Sequence, residues 1–232
     1  MKRVIRVSPS IIATSYKDNE ILFQAIEDLE KAGANWLHLD VMDGKFVPNT
    51  TFEHPFVENL KGKTKLLLDV HLMVQKPEDV IDKYIKAGAD ILTVHYEACK
   101  DPASVLKKIK SKNNIIAGLA ISPETPVLKI KDLIENSLVD LILVMTVKPG
   151  ASGQSFMPDV AEKVAEIREL SNTILIEVDG GVNSKNSKFL RSMGVNVMVS
   201  GSFIFNSKNM KKTINQLKGK GFCYKLKEFF GY

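Results

Sequence analysis

What the chain lacks bounds it first. It has two cysteines, Cys99 and Cys223, with no paired spacing, so a disulfide scaffold or a thiolate metal knuckle is not available. Both are expected as reduced thiols. Arginine occurs only at Arg3, Arg6, Arg168 and Arg191, whereas proteins that read nucleic acid lean on bidentate arginine forks. The net charge of +5 is therefore carried mostly by lysine and reads as a solvated surface, with no nucleic-acid partner expected. No apolar run approaches the roughly 20 residues of a membrane-spanning helix. The basic start Met1-Lys2-Arg3 meets Arg6 before any long apolar stretch, so neither a membrane contact nor a secretion signal is expected. A cytoplasmic protein follows. No Gly-x-Gly-x-x-Gly succeeds the first strand, which counts against a doubly wound dinucleotide fold.

What is present suits one large core. Of 232 residues, 44% are hydrophobic, and no linker-like stretch divides the chain. Strand-like apolar runs recur at Val4–Val7, Trp36–Asp40, Leu66–His71, Ile91–His95, Ile115–Ile121, Leu141–Thr146, Ile174–Asp179 and Val197–Ser200. Amphipathic segments lie between them, among them Ile21–Lys31, Val80–Lys86, Ala103–Lys110 and Val160–Leu170, with apolar residues at helical spacing. Ala32-Gly33-Ala34, Ala87-Gly88-Ala89 and Met193-Gly194-Val195 each precede a strand. Those glycines suit the left-handed residue that ends a helix. Strands that alternate in this way with helices predict an α/β protein, a single (β/α)8 TIM barrel over residues 1–232. Residues 206–232 are expected as a C-terminal helix and an aromatic, lysine-rich tail, the latter a possible contact between copies in a homo-oligomer.

In such a barrel, chemistry sits at the C-terminal strand ends. There the sequence offers Ser8, His38 with Asp40, Asp69 with His71, His95, Met145 with Thr146, Asp179, and Ser200 with Gly201. Alternation places His38 and Asp40 on one strand face, where two ionisable groups are costly to bury without a partner. His38, Asp40, His71 and Asp179 together make a mixed nitrogen/oxygen site, suited to Zn²⁺, Mn²⁺, Fe²⁺ or Co²⁺ more than to Ca²⁺ or Mg²⁺. Asp69 sits one layer deeper and is expected to support a ligand rather than act as one. His95 is expected to be structural. Glycines gather after the last three strands, at Gly150 and Gly153, Gly180 and Gly181, and Gly201 before Ser202. Backbone N–H groups there can approach a phosphate closely.

Longer stretches sharpen this. Ser8-Pro9-Ser10, His38-Leu39-Asp40-Val41-Met42-Asp43-Gly44-Lys45-Phe46-Val47-Pro48-Asn49, Asp69-Val70-His71-Leu72-Met73-Val74, Val144-Met145-Thr146-Val147, Gly153-Gln154-Ser155-Phe156 and Glu177-Val178-Asp179-Gly180-Gly181-Val182-Asn183 resemble the ribulose-phosphate 3-epimerase family, in order, from about Val7 to about Phe205. The resemblance implies a metal-dependent interconversion of D-ribulose 5-phosphate and D-xylulose 5-phosphate, part of the pentose phosphate pathway. It implies that one divalent ion is held by His38, Asp40, His71 and Asp179, with Asp40 and Asp179 as the acid/base pair. Ser8 and His71 would touch the sugar. Gly150, Ala151, Ser152, Gly153, Gly180, Gly181, Gly201 and Ser202 would hold the phosphate, and Met42, Met73 and Met145 would wall the reacting carbons. Asp43 is expected to stabilise its loop only.

The chain departs from that family at three places. Lys148-Pro149-Gly150-Ala151-Ser152-Gly153 stands for Asn-Pro-Gly-Phe-Gly-Gly, Ser122-Pro123 for Asn-Pro, and Thr51-Phe52-Glu53-His54-Pro55 for Thr-Phe-Gly-Pro-Pro. The alternative within the family is a 3-epimerase of a hexulose 6-phosphate such as D-allulose 6-phosphate. A Schiff-base aldolase using Lys148 would need that amine in a pocket that lowers its pKa, and Lys148 lies beyond its strand. A metal-free decarboxylase of the Asp-x-Lys-x-x-Asp type lacks its lysine in His38-x-Asp40-x-x-Asp43. A non-catalytic binding protein would have no use for a complete metal and acid/base set.

Overall fold

A computed structural model describes residues 3–112, 114–151 and 153–220. Its strands are β1 (Arg6–Pro9), β2 (Trp36–Met42), β3 (Leu67–Met73), β4 (Ile91–His95), β5 (Ile116–Ile121), β6 (Leu141–Met145), β7 (Leu175–Asp179) and β8 (Val197–Ser200). The helices are α1 (Asn19–Ala32), α2 (His54–Leu60), α3 (Ile81–Lys86), α4 (Pro102–Lys110), α5 (Lys131–Glu135), α6 (Pro158–Ala161), α7 (Lys163–Leu170), α8 (Ser187–Met193), α9 (Ser202–Phe205) and α10 (Met210–Lys218). All eight strands pair in parallel in the order β1-β8-β7-β6-β5-β4-β3-β2. The two ends of that order meet: Ser10 bridges His38, and the Asn35 N–H donates to Val7 O at 3.0 Å. The sheet closes into the expected (β/α)8 barrel.

Local chemistry explains the connections. Asp18 caps α1 by accepting from the N–H groups of Glu20 and Ile21, which α1 itself cannot satisfy. Gly33, Gly88 and Gly194 adopt φ of 84°, 95° and 101°, the left-handed turn expected of them before β2, β4 and β8. Outward-facing apolar residues, such as Leu37, Leu39 and Val41 on β2, pack under the helices. Inside the ring, Trp36, Ile91, Leu141, Leu143 and Val197 form a second apolar cluster.

Boundaries differ from expectation where neighbours outweigh local pattern. β1 begins at Arg6 rather than Val4, because β8 pairs it from Arg6↔Val197 to Pro9↔Ser200, leaving Val4 68% exposed. β2 and β3 run two residues further than expected, paired through Met42↔Met73. Those methionines pack on Val47 at the rim. The expected helix Val160–Leu170 is two, α6 and α7, separated at Glu162. α2, α5, α8 and α9 are seven residues or shorter, too short to show a clear apolar stripe in sequence. In the C-terminal segment α10 packs Ile214 and Leu217 inward. The tail aromatics Phe222, Tyr224, Phe229, Phe230 and Tyr232, with Cys223, lie outside the described residues.

Candidate active site

The barrel interior changes character with height. Above the apolar cluster, inward positions carry Ser8, His38, Asp69, Thr93 and Glu177, all fully buried. The next inward layer carries Ser10, Asp40, His71, His95 and Asp179. The β2–β3 register sets His38 beside Asp69 and Asp40 beside His71. These side chains meet because every second strand residue faces inward and the tilt of the strands stacks the inward residues in layers.

One atom from each of His38, Asp40, His71 and Asp179 comes together, all within 4.8 Å of one another. His38 Nε2 lies 3.3 Å from Asp40 Oδ1 and 3.9 Å from Asp179 Oδ2. His71 Nδ1 lies 3.2 Å from Asp40 Oδ1. Below, His38 Nδ1 is 2.7 Å from Asp69 Oδ2, which also accepts from Ser8 Oγ at 2.8 Å. A carboxylate accepts only, so His38 donates through Nδ1 and turns Nε2 upward. That nitrogen is buried and has no hydrogen-bond partner, although Asp40 is near; without an ion, and despite burial, the facing aspartates favour a proton there, and a divalent ion would take that proton's place. Two imidazole nitrogens and two carboxylates converging on one point fit a divalent ion.

The two carboxylates are pushed apart electrostatically. Burial alone would raise Asp40, but the charge and hydrogen bonds of His38 and His71 hold it well below the usual carboxylate range. Asp179 is raised by burial, and then by the negative charge of Asp40, to about 7. Beneath them Glu177 is raised by burial and by Asp69, and neither of its oxygens finds a hydrogen-bond partner.

A cavity of about 720 Å³ opens over this cluster. Asp40, Asp179, Met42, Met73 and Met145 line it at the buried end. Gly150, Ala151, Gly153, Gly180, Gly181, Gly201 and Ser202 line the other end; Ser152 lies outside the described residues. Gly181 has φ of 63°, and a Cβ there would stand 2.5 Å from the Phe156 nitrogen, so only glycine leaves this backbone open to a ligand. Thr146 Oγ1 holds the preceding turn by donating to the carbonyls of Asp179 and Gly180 at 2.9 and 2.8 Å. Gln154 Nε2 donates to Lys148 O and Ala151 O at 2.7 and 2.9 Å, closing the loop after β6 on itself.

Ser8 requires correction. Expected at the sugar, it is fully buried, spends its hydroxyl on Asp69, and does not reach the cavity. Ser10 lines the cavity instead and donates to Asp40 Oδ2 at 2.6 Å. With β1 ending at Pro9 rather than Val7, alternation puts Ser8 one layer down and Ser10 at the rim; the strand end, set by pairing with β8, is what sequence alone did not give. His71 also lies beneath the cavity rather than on its surface. His95, expected to be structural, touches His71, Nε2 to Nε2, at 2.9 Å. Asp43 accepts from the backbone N–H groups of Lys45, Phe46 and Gln75, binding two loops together.

Comparison with known proteins agrees with this arrangement. Residues 6–205 match the family described as the ribulose-phosphate 3 epimerase family. The ribulose-phosphate 3-epimerase of Bacillus subtilis (strain 168) is 40% identical over 221 residues, which cover 93% of this chain and 99% of that protein. A cytoplasmic isoform of ribulose-phosphate 3-epimerase from Oryza sativa subsp. japonica is 38% identical, covering 92% of each. The crystal structure of 3-hexulose-6-phosphate synthase from Salmonella typhimurium superposes with a TM-score of 0.66 over 93% of this chain and 98% of that one, at 16% identity. At that identity the likeness shows the barrel alone. Sequence match over nearly the whole length and a barrel that gathers the same motifs at one rim lead to one conclusion: the chain is an enzyme of the ribulose-phosphate 3-epimerase family.

Proposed function

We propose that the chain epimerises D-ribulose 5-phosphate to D-xylulose 5-phosphate at C3 by proton transfer between Asp40 and Asp179, with one divalent ion in place. The observation that carries this is the convergence of Asp40 and Asp179 with His38 and His71 on one point at the cavity floor; in the metal-free cluster their surroundings push the two carboxylates in opposite directions, Asp40 down and Asp179 up. Epimerisation beside a ketone removes a proton from one face and returns one to the other, which requires a base and an acid together. Asp40 takes the C3 proton, and Asp179 supplies one to the opposite face of the planar ene-diolate. Ser10 donates to Asp40 Oδ2, which fixes the carboxylate with Oδ1 turned toward His38 and His71. His38, Asp40, His71 and Asp179 would hold the ion. When bound, it would supply Lewis acidity that stabilises the developing oxyanion; Zn²⁺, Mn²⁺, Fe²⁺ and Co²⁺ all suit this donor set.

The methionines Met42, Met73 and Met145 offer the reacting carbons a dry, polarisable wall with no competing proton. The glycine-lined end receives the phosphate through backbone N–H groups of Gly150, Ala151, Gly153, Gly180, Gly181, Gly201 and Ser202. Pentulose phosphate is favoured over a hexulose 6-phosphate because the relatives at about 40% identity are named for ribulose phosphate. A cytoplasmic homo-oligomer fits the same reading. The test is a coupled assay of the metal-loaded protein on D-ribulose 5-phosphate and D-allulose 6-phosphate side by side. Faster turnover of the pentulose supports the proposal; turnover of the hexulose alone overturns it.

A further inference from the structure

A buried chain of contacts leads from the cavity floor to the surface on the side of β3 and β4. His71 Nε2 faces His95 Nε2 at 2.9 Å, and the two rings stack with their centroids 5.0 Å apart. His95 Nδ1 faces Glu97 Oε2 at 3.1 Å. Phe46 covers His95 with its centroid 4.7 Å away. Glu97 is fixed in turn: its Oε1 accepts from the Ser122 N–H at 2.8 Å and from Thr125 Oγ1. The loop carrying those donors is clamped by Lys163, whose Nζ donates to the carbonyls of Ser122, Pro123 and Thr125 at 3.0, 2.7 and 2.7 Å. Ser122 is where the family pattern has asparagine, but the contact here uses backbone, so the change leaves it intact.

The protons in this chain can be assigned by elimination. An ionised carboxylate accepts only, and Glu97 is kept ionised by its donors despite its burial. His95 must therefore place its hydrogen on Nδ1, facing Glu97. A neutral imidazole carries one N–H, and His95 is fully buried under Phe46 with one carboxylate partner, at Nδ1, surroundings that disfavour a second proton. His95 Nε2 is then an acceptor, and His71 Nε2 must be the donor. His71 Nδ1 is left bare, 3.2 Å from Asp40 Oδ1, where two acceptors face one another and a cation is the natural third party.

We propose that His95 and Glu97 are positioning residues that set the tautomer of His71, so that its Nδ1 is presented bare to the metal position from a carboxylate two residues away. This rests on the reading of His38, Asp40, His71 and Asp179 as a metal site. It gives the two histidines of that site matching supports: Asp69 behind His38, and a neutral histidine backed by Glu97 behind His71.

The deciding measurement is the ¹⁵N spectrum of the histidines in the full, metal-free chain, where protonated and bare ring nitrogens separate. The expected result is His71 protonated at Nε2 and His95 at Nδ1; His71 protonated at Nδ1 overturns the proposal without any variant. Glu97→Gln can donate to His95 and release the constraint. It should mix the His71 tautomers and lower Co²⁺ affinity, read by chelator competition, by about 10–100-fold. His95→Gln keeps an acceptor for His71 and should lose less than His95→Leu. Wild-type tautomers and wild-type Co²⁺ affinity in folded Glu97→Gln would overturn the proposal. A wild-type chain that takes up no Co²⁺ would overturn the metal reading instead, while the metal-free spectrum still decides the tautomer.

Discussion

The two ends of the cavity are made of different material. At the buried end it is side chains that converge, and they stand on strands whose register fixes them to a neighbour: Asp40 beside His71, His38 beside Asp69. At the open end the lining comes from loops after β6, β7 and β8, where glycines alternate with larger side chains such as Lys148, Phe156, Lys185 and Phe203. The buried end is intolerant because each ionisable group there is matched to a partner, and an unpaired buried charge is costly. Lys148 and Ala151 stand where the family pattern has other residues, and Gln154 and Asn49 tie down the loop carbonyls, Asn49 at 2.6 Å from Gly150 O. Identity should therefore matter most at one end and conformation at the other.

The largest effect should come from breaking the carboxylate pair. Asp179→Asn, assayed at metal concentrations that saturate the variant, should lower kcat by about 10²–10⁴-fold, the scale of a lost general acid. Near-wild-type turnover in that variant, measured in the coupled assay, would sink the mechanism. Chelator treatment should abolish turnover, and re-added Zn²⁺, Mn²⁺, Fe²⁺ or Co²⁺ should restore it; activity that survives exhaustive chelation would count against the ion. Next, Asp69→Asn frees the His38 tautomer, and should weaken metal affinity by about 10–100-fold while leaving KM for substrate nearly unchanged once the site is saturated with metal.

At the open end, conformation should outweigh identity. Gly181→Ala forces a positive φ and a clash with Phe156, and should cost about 1–3 kcal/mol, read as a rise in KM with smaller change in kcat. Lys148→Asn removes an exposed charge at the cavity mouth. It should shift substrate affinity by only about 0.2–1 kcal/mol, and less as salt is raised. If the lysine change proves larger than the glycine change, the contrast between the two ends fails.

Acid stability offers a subtler check, made in metal-free protein. Burial lowers His95 from 6.5 to about 4, so the unfolded chain binds more protons across that window. Stability from His95 is present above about 6.5 and is lost as pH falls toward 4. Asp179 runs the other way: raised from 3.8 to about 7 by burial and by Asp40, it stabilises below its unfolded value and loses this as pH rises through 7. Asp179→Asn should therefore steepen the fall of Tm on acidification from pH 7 to 4, and His95→Gln should flatten it. Parallel Tm curves for both variants and wild type would contradict these assignments.

Much of the buried end was legible in the sequence, and for a physical reason. Histidines and aspartates at alternate positions of apolar strands are costly unless they converge, so His38, Asp40, His71 and Asp179 announced themselves. Ser8 and Ser10 were not separable in that way. Both face inward, and only the true end of β1, set by pairing with β8, says which reaches the cavity. Glu177 and the contact between His71 and His95 were hidden because they depend on packing across the ring, which no single strand's pattern encodes. Short helices such as α2 and α8 were missed because seven residues give about two turns, too few to repeat an apolar stripe.

The level pairing of β2 with β3 has a consequence for folding. A slip of one residue between parallel strands would turn every inward side chain outward, sending His38 and Asp40 under the helices and dispersing the cluster of His38, Asp40, His71 and Asp179. An ion bound at that point would then favour one closure of the ring over every shifted alternative, by the mass-action stabilisation any native-only ligand confers. The proposed metal site would then also proofread the barrel's assembly.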